Sequence, residues 1–313
     1  MAYFQLSDHF ASFFRRLNPS ATFEAQASRE YQSIKALLED RQGLAAELSP
    51  RCFLQGSYRQ STAIYTINDV DIVALCELWQ PGSGEGGGGR SYDRHVIFDT
   101  IAAPLLADQR YRSKVRYTQT SMCIKVDLGI KIEILPVVYA AGNFDPQKEP
   151  FRLYRPERQQ WEDGYARYHQ AYLSLKNDDD RTGGNFIPAI KVMKHIRSLF
   201  GLDAVSFHIE CLLHSFPDSL FRGAPADYLA NILLHIASKG ADTWYGEVCK
   251  TPCGDRDIFT GAEWPLESWR TLHGVISKAA TLAAAARVSS NWSQAVEFWQ
   301  TILGKDFFPA TVT

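Results

Sequence analysis

The spacing of apolar positions changes near residue 50 and again near residue 157, giving a helical start, a strand-rich middle and a helical remainder. Apolar residues recur every three or four positions over residues 3–17 and over 23–48, the second stretch following Asn18-Pro-Ser, which predicts two amphipathic helices in an N-terminal layer. Beyond them the period shortens to two or the run becomes wholly apolar, so residues 51–55, 70–77, 118–128 and 130–139 read as strands, with a helix over 92–107. After a polar stretch ending at Pro156 the helical period returns over 161–175, 186–202, 206–216, 225–238, 266–286 and 290–303. The expected fold is α+β and bilobal, with a mixed β-sheet flanked by helices in residues 1–156 and a helical lobe in 157–313.

Two polar interruptions carry less chemistry than their composition suggests. The tract Pro81-Gly-Ser-Gly-Glu-Gly-Gly-Gly-Gly-Arg90 lacks both the Lys-Ser/Thr ending of a phosphate-binding loop and a strand-to-helix context, so it reads as a flexible hairpin linker. The run Asp178-Asp-Asp-Arg-Thr-Gly-Gly184 separates two helices and reads as a solvated loop with a helix cap.

Bulk properties narrow the function classes. A formal charge of -2 over 313 residues gives no global basic field and argues against a long nucleic acid as partner. Arg110-Tyr-Arg-Ser-Lys-Val-Arg116 is a basic, aromatic-bearing stretch, better read as a solvated helix-to-strand connection. The first residues lack a charged region followed by an apolar core, and no run approaches the ~18 apolar residues of a membrane span, so a cytoplasmic protein without a membrane partner is expected. Six scattered cysteines favour buried thiols over a disulfide framework. His208, Cys211 and His214, with Cys249 and Cys253, allow a zinc site to be drawn, but their spacing matches no standard ligand pattern.

The strongest chemical signal is Asp69-Val-Asp71, set in the apolar run Val70-Asp-Ile-Val-Ala-Leu75 shortly after Gly56 and Ser57. Residues two apart on a strand share a face, so both carboxylates project together and repel unless a cation intervenes. A hard divalent cation with oxygen ligands satisfies such a pair, and Mg²⁺ commonly uses one or two carboxylates plus phosphate oxygens. Backbone N–H groups at the Gly-Ser corner, with the Ser57 hydroxyl, suit those phosphates. A third carboxylate is expected from Glu133, which shares a face with Lys131 in Gly129-Ile-Lys-Ile-Glu-Ile-Leu-Pro136; Asp127, at the end of the preceding strand, is the rival.

These residues carry a resemblance. Phe53-Leu-Gln-Gly-Ser-Tyr-Arg-Gln-Ser-Thr-Ala-Ile64, Asp69-Val-Asp71 and Ile132-Glu-Ile-Leu-Pro136 together resemble the signature of the DNA polymerase β-like nucleotidyltransferases. More narrowly, the chain is similar to bacterial cyclic oligonucleotide synthases, relatives of cyclic GMP-AMP synthase and oligoadenylate synthase. Lys191-Val-Met-Lys194 and Ser206-Phe-His-Ile-Glu210 resemble the Lys-x-x-Lys and Ser-Tyr-His segments of cyclic GMP-AMP synthase. The resemblance implies a catalytic core in residues 1–156, a helical lobe in 157–313 and nucleotides in the cleft between them. It implies Asp69, Asp71 and Glu133 as catalytic ligands of two Mg²⁺ ions, or of Mn²⁺ in their place. It implies Gln55, Gly56, Ser57, Lys191, Lys194 and Ser206 as nucleotide contacts, with Phe207 in the place of a base-stacking tyrosine. Glu133 departs from the family's usual aspartate by one methylene, about 1.5 Å of reach, enough to alter catalytic positioning.

The activity so implied joins ribonucleoside triphosphates into a cyclic di- or trinucleotide second messenger, used in bacteria for anti-phage signalling. The implied partners are the triphosphates, an effector that senses the product, and accessory regulatory proteins. Two rivals remain at this point: a nucleotidyltransferase that modifies a tRNA or a protein, and a nucleotide-binding sensor with weak turnover.

Overall fold

The computed structural model describes residues 4, 6–76, 94–118, 120–139, 151–156 and 158–311; the glycine tract lies outside them. The chain divides into two compact units: a sheet unit of Ser20–Ser61 and Thr66–Tyr168, and a helical unit of Met1–Pro19, Thr62–Tyr65 and His169–Thr313.

The first helix, α1 (Ser7–Leu17), belongs to the helical unit. Helix α2 (Ala21–Leu38) opens the sheet unit, where the Ser20 hydroxyl caps it by accepting from the Phe23 amide at 3.1 Å. It stops ten residues short of the expected end, because Asp40 and Gly43 close a turn (Gly43 N–H to Asp40 O, 3.0 Å). The Glu39 carboxylate accepts instead from the Cys52 amide at 2.6 Å. Strand β1 (Pro50–Gln55), the short helix α3 (Gly56–Arg59), strand β2 (Asp69–Cys76) and helix α4 (Arg94–Ala107) follow. The strand expected over 118–128 is two strands, β3 (Val115–Arg116) and β4 (Ile124–Asp127). Between them Thr118 and Ser121 close a turn through the Thr118 amide and the Ser121 hydroxyl at 2.8 Å. The basic stretch beginning at Arg110 is the connection into β3, with the Tyr111 ring buried.

Strand β5 (Lys131–Tyr139) completes the central ladder, and β6 (Phe151–Arg155) with β7 (Gln160–Gly164) forms a hairpin where a polar connection and the start of a helix were expected. Its pair Arg152 and Asp163 is ionic at 3.0 Å and Arg155 reaches Glu162 diagonally at 3.4 Å, so its exposed side reads as loop. The sheet runs β1-β2-β5-β4-β3; β2 and β5 are parallel, and β4 and β6 share the other edge of β5 in succession. One face is apolar throughout (Cys52, Val70, Ile72, Ala74, Ile132, Ile134, Val126) and packs on α2 and α4. The opposite face has a small apolar cluster of Val73, Leu75, Val137, Phe151 and Leu153 at one end. Its other end carries the carboxylates.

Helix α5 (Ala166–Lys176) starts in the sheet unit and continues into the helical unit from His169, where α6 (Asp179–Thr182), α7 (Phe186–Leu199), α8 (Ser206–Ser215), α9 (Pro225–Ala237), α10 (Ala241–Tyr245), α11 (Leu266–Val288) and α12 (Trp292–Leu303) follow in order. Helix α5 begins at Ala166, five residues later than expected, because Trp161 belongs to β7. Trp264, Trp269, Trp299 and Phe308 form the aromatic centre of this core, and Phe10 and Phe13 of α1 pack into it. The expected division at residue 156 therefore differs from the structure: α1 joins the helical unit, as does the segment Thr62–Tyr65, while residues 157–168 stay with the sheet. The apolar stripe of α1 was visible in sequence, but a stripe does not name the core it enters.

Candidate active site

Register places the acids side by side. Gln55, Asp71 and Glu133 are directly opposite one another on β1, β2 and β5, and Asp69 stands beside Lys131 in the neighbouring row. Residues paired across strands share a face, so Asp69, Asp71 and Glu133 project from one face of the sheet. Asp127 sits in the row of Asp69, but with Lys131 between them, and its carboxylate accepts from the Gly129 amide at 3.1 Å.

Gly56 closes the site against Asp71. Its φ of +70° lies in the left-handed region, and a Cβ there would come within 1.9 Å of Asp71 Oδ2. A side chain here would be strained by that backbone conformation and would push the Asp71 carboxylate out of place. The buried Oε1 of Gln55 has no hydrogen-bond partner.

The charge on this row is unbalanced around Asp71. Burial first, then Asp69 and Glu133, push its carboxyl up to about 7, because two further acids face it. Glu133 has a counter-ion of its own: Lys125, its register neighbour on β4, approaches to 3.0 Å. The Cys123 thiol also hydrogen-bonds Glu133, and burial with that carboxylate pushes the thiol up to about 11. Sequence reasoning passed over both Lys125 and Cys123; the alternation of β4 places Lys125 on the acidic face, but its pairing with Glu133 depends on register. Among the described residues, no three His, Cys, Asp or Glu side chains are gathered closely enough to hold a metal ion as they stand. The drawn zinc site is likewise not assembled: Cys211 and Cys249 are buried free thiols, and His208 pairs with Glu263 at 3.3 Å. The donor set of Asp69 and Asp71 nevertheless suits a hard cation, since two oxygen-only acids face each other with no balancing base on Asp71.

The residues expected on the nucleotide from the helical unit behave differently from one another. The first is Lys194. It is 2% exposed, and its ammonium donates to Thr62 Oγ1 at 2.8 Å, Thr62 O at 3.3 Å and Glu210 Oε1 at 2.6 Å, which uses all three of its protons within the protein. Ser206 begins α8 and its hydroxyl accepts from Arg197 at 2.9 Å. The half-buried Phe207 ring lies 4.9 Å from the His169 ring, with the Arg256 guanidinium 5.2 Å from its centre. Lys191 donates to Asn18 at 2.8 Å. Glu210, two residues past His208, ends the quoted Ser206–Glu210 segment but had no role assigned to it from the sequence.

A family model described as the Second Messenger Oligonucleotide or Dinucleotide Synthetase domain matches residues 4–177, a stretch containing Gly56, Ser57, Asp69, Asp71 and Glu133. The cyclic UMP-AMP synthase of Rhodothermus marinus is 26% identical over 262 residues, covering 78% of this chain and 86% of that protein. The solved structure of Rhodothermus marinus CdnE c-UMP-AMP synthase with Apcpp and Upnpp superposes with a TM-score of 0.68 at 21% identity, over 90% of this chain and 97% of that one. Escherichia coli MS115-1 CdnC with ATP gives a TM-score of 0.68 at 15% identity, over 96% and 98% of the two chains. At these identities the structural likeness establishes the fold alone, an α+β fold of the polymerase β-like kind.

Proposed function

The chain belongs to the Second Messenger Oligonucleotide or Dinucleotide Synthetase family, the bacterial CD-NTases of the polymerase β-like nucleotidyltransferases, and from this premise we propose that it builds a cyclic di- or trinucleotide from ribonucleoside triphosphates. The observation that carries the reading is Asp71, wedged against Gly56 and facing Asp69 and Glu133 inside the matched segment. A ribose hydroxyl of the acceptor attacks the donor α-phosphate, the bond to the bridging oxygen breaks, and pyrophosphate leaves. Each transfer releases one pyrophosphate and the hydroxyl's proton, and the last of them, made within the linear product, closes the ring.

Asp69 and Asp71 would hold Mg²⁺, with Glu133 joining them once it parts from Lys125. When bound, the cation neutralises phosphate charge and lowers the pKa of the attacking hydroxyl. The remaining work belongs to the chain. Gly56 lets phosphate oxygens come close to the backbone, and the Ser57 hydroxyl donates to one of them. Within the helical unit Lys191 and Ser206 carry donors suited to phosphate and Phe207 a ring suited to a base. The cyclic product serves as a second messenger for an effector in anti-phage signalling.

The test is incubation with ATP, UTP, GTP and CTP and either Mg²⁺ or Mn²⁺, followed by phosphatase digestion and mass analysis. A phosphatase-resistant cyclic product is expected from wild type and not from Asp69→Asn; an unchanged yield from that variant would end the proposal. The ion pair between Lys125 and Glu133 favours one second reading, a nucleotide sensor with weak turnover. Calorimetric nucleotide binding without pyrophosphate release would select it.

A further inference from the structure

A buried charge cluster in the helical unit lies outside the chemistry above. Lys194 of α7, Glu210 of α8, His169 of α5 and Thr62 form one network. Glu210 Oε1 accepts from both the Lys194 ammonium and the Thr62 hydroxyl (2.8 Å), and Oε2 is 3.1 Å from His169 Nε2. All four residues are at most 4% exposed. A buried ion pair of this kind is weak evidence for stability, since apolar replacements of similar volume are often neutral or stabilising, and its better-attested use is to fix one arrangement.

What this network fixes is the start of a short segment. Thr62, Ala63 and Ile64 are buried, and the Tyr65 amide donates to Leu17 O at 2.8 Å. By chain connection that segment continues the Gly56–Ser57 turn. The intervening residues leave little slack: Gln60 N–H donates to Gly56 O at 3.1 Å, Ser61 N–H to Tyr58 O at 3.4 Å, and Ser61 holds a φ of 58°. We infer that Thr62, Lys194, Glu210 and His169 are positioning residues that anchor the outgoing end of the Gly56–Ser57 turn, and that Lys194 serves this anchor instead of a triphosphate. The inference rests on the proposed role of that turn. It deepens that role by separating residues that hold the turn from those that touch the nucleotide.

The deciding variant is the pair Lys194→Met with Glu210→Met, which removes both charges and keeps volume. Its melting temperature should stay near that of wild type. Its kcat should fall by about tenfold or more with KM within about twofold, because a turn displaced by about 1 Å loses alignment before affinity. Amide exchange across residues 56–65 of the full apo chain should quicken about tenfold, while that of α11 stays unchanged. Should this variant fail to fold, Thr62→Val carries the same test, since it removes only the hydroxyl. Wild-type kcat and exchange in a folded variant would reduce the network to packing. A loss of affinity for a non-hydrolysable ATP analogue in Lys194→Met, absent in Glu210→Gln, would return Lys194 to the phosphate. Exchange and affinity need no turnover, so they decide the anchor even if no cyclic product is made.

Discussion

Two inward-facing acids, Asp71 in the sheet unit and Glu210 in the helical unit, experience opposite electrostatics. Burial would raise the Glu210 carboxyl, yet the Lys194 ammonium and the His169 ring overcome it and hold the group well below the usual carboxylate range. Burial raises the Asp71 carboxyl as well, but its charged neighbours are Asp69 and Glu133, which push it the same way. The difference teaches how to read buried charge. Where the protein supplies the counter-charge, the cluster holds the fold in place; where it stacks like charges, the balance is completed by something the chain does not contain.

Removing each acid in turn should therefore give opposite phenotypes. Asp71→Asn is expected to lower cyclic nucleotide formation by roughly a thousandfold, the worth of several kcal/mol of charge stabilisation, measured as product per enzyme from mixed triphosphates. Glu210→Gln leaves a buried ammonium without its counter-charge and should cost about 3–5 kcal/mol in denaturant unfolding. If Asp71→Asn unfolds the protein and Glu210→Gln does not, the contrast is inverted and the reading of both sites fails.

The pH dependence of stability sharpens the same contrast. In the metal-free protein burial and the facing acids push the Asp71 carboxyl from its ordinary 3.8 up to about 7, so between those values the folded state binds more protons than the unfolded one. Stability from this group is thus greatest in acid, falls as pH rises from about 4 to about 7, and is flat above. The full shift corresponds to about 4 kcal/mol, and solvent relaxation around a partly exposed group leaves about 2 kcal/mol. Asp71→Asn should remove that slope, read by urea unfolding at pH 5 and pH 8, and Mg²⁺ should restore stability at pH 8 in wild type only. Glu210 has the opposite sign: its depressed folded value contributes stability that is present above its unfolded value near 4.5 and lost as the pH drops further.

Much of the sheet unit was legible, because period-two alternation puts Asp69, Asp71 and Glu133 at definite positions on definite strands. The adjacency of Asp71 and Glu133 was not, since it depends on parallel pairing of segments about sixty residues apart. The β6–β7 hairpin was missed because its charged residues, Arg152, Arg155, Glu162 and Asp163, imitate a polar loop. The burial of Lys194 was hidden for the reverse reason. On a helix, a lysine three residues from another reads as a solvated cation, and only tertiary packing turns it inward onto Glu210. The motif Ser206-Phe-His208 drew attention to the start of α8, while the acid two residues further on carried the burial.

Lys125 supplies the smallest expected effect and the finest version of the comparison. Like Lys194 it pairs with a glutamate, Glu133, at 3.0 Å, but its side chain is 61% exposed where that of Lys194 is 3% exposed. An exposed pair of this kind is worth about 0–1 kcal/mol and is screened by salt, so Glu133 can exchange Lys125 for a metal ion at little cost. Lys125→Met should leave the urea midpoint almost unchanged. It should raise Mn²⁺ affinity by about two- to fivefold at low salt, a gain that shrinks in 0.5 M NaCl within roughly a Debye length's screening and disappears in a Glu133→Gln background. Titration calorimetry on the metal-free protein reads all three. If Lys125→Met instead costs more than about 2 kcal/mol, the pair is a structural lock like that of Lys194, and Glu133 is not available to a cation.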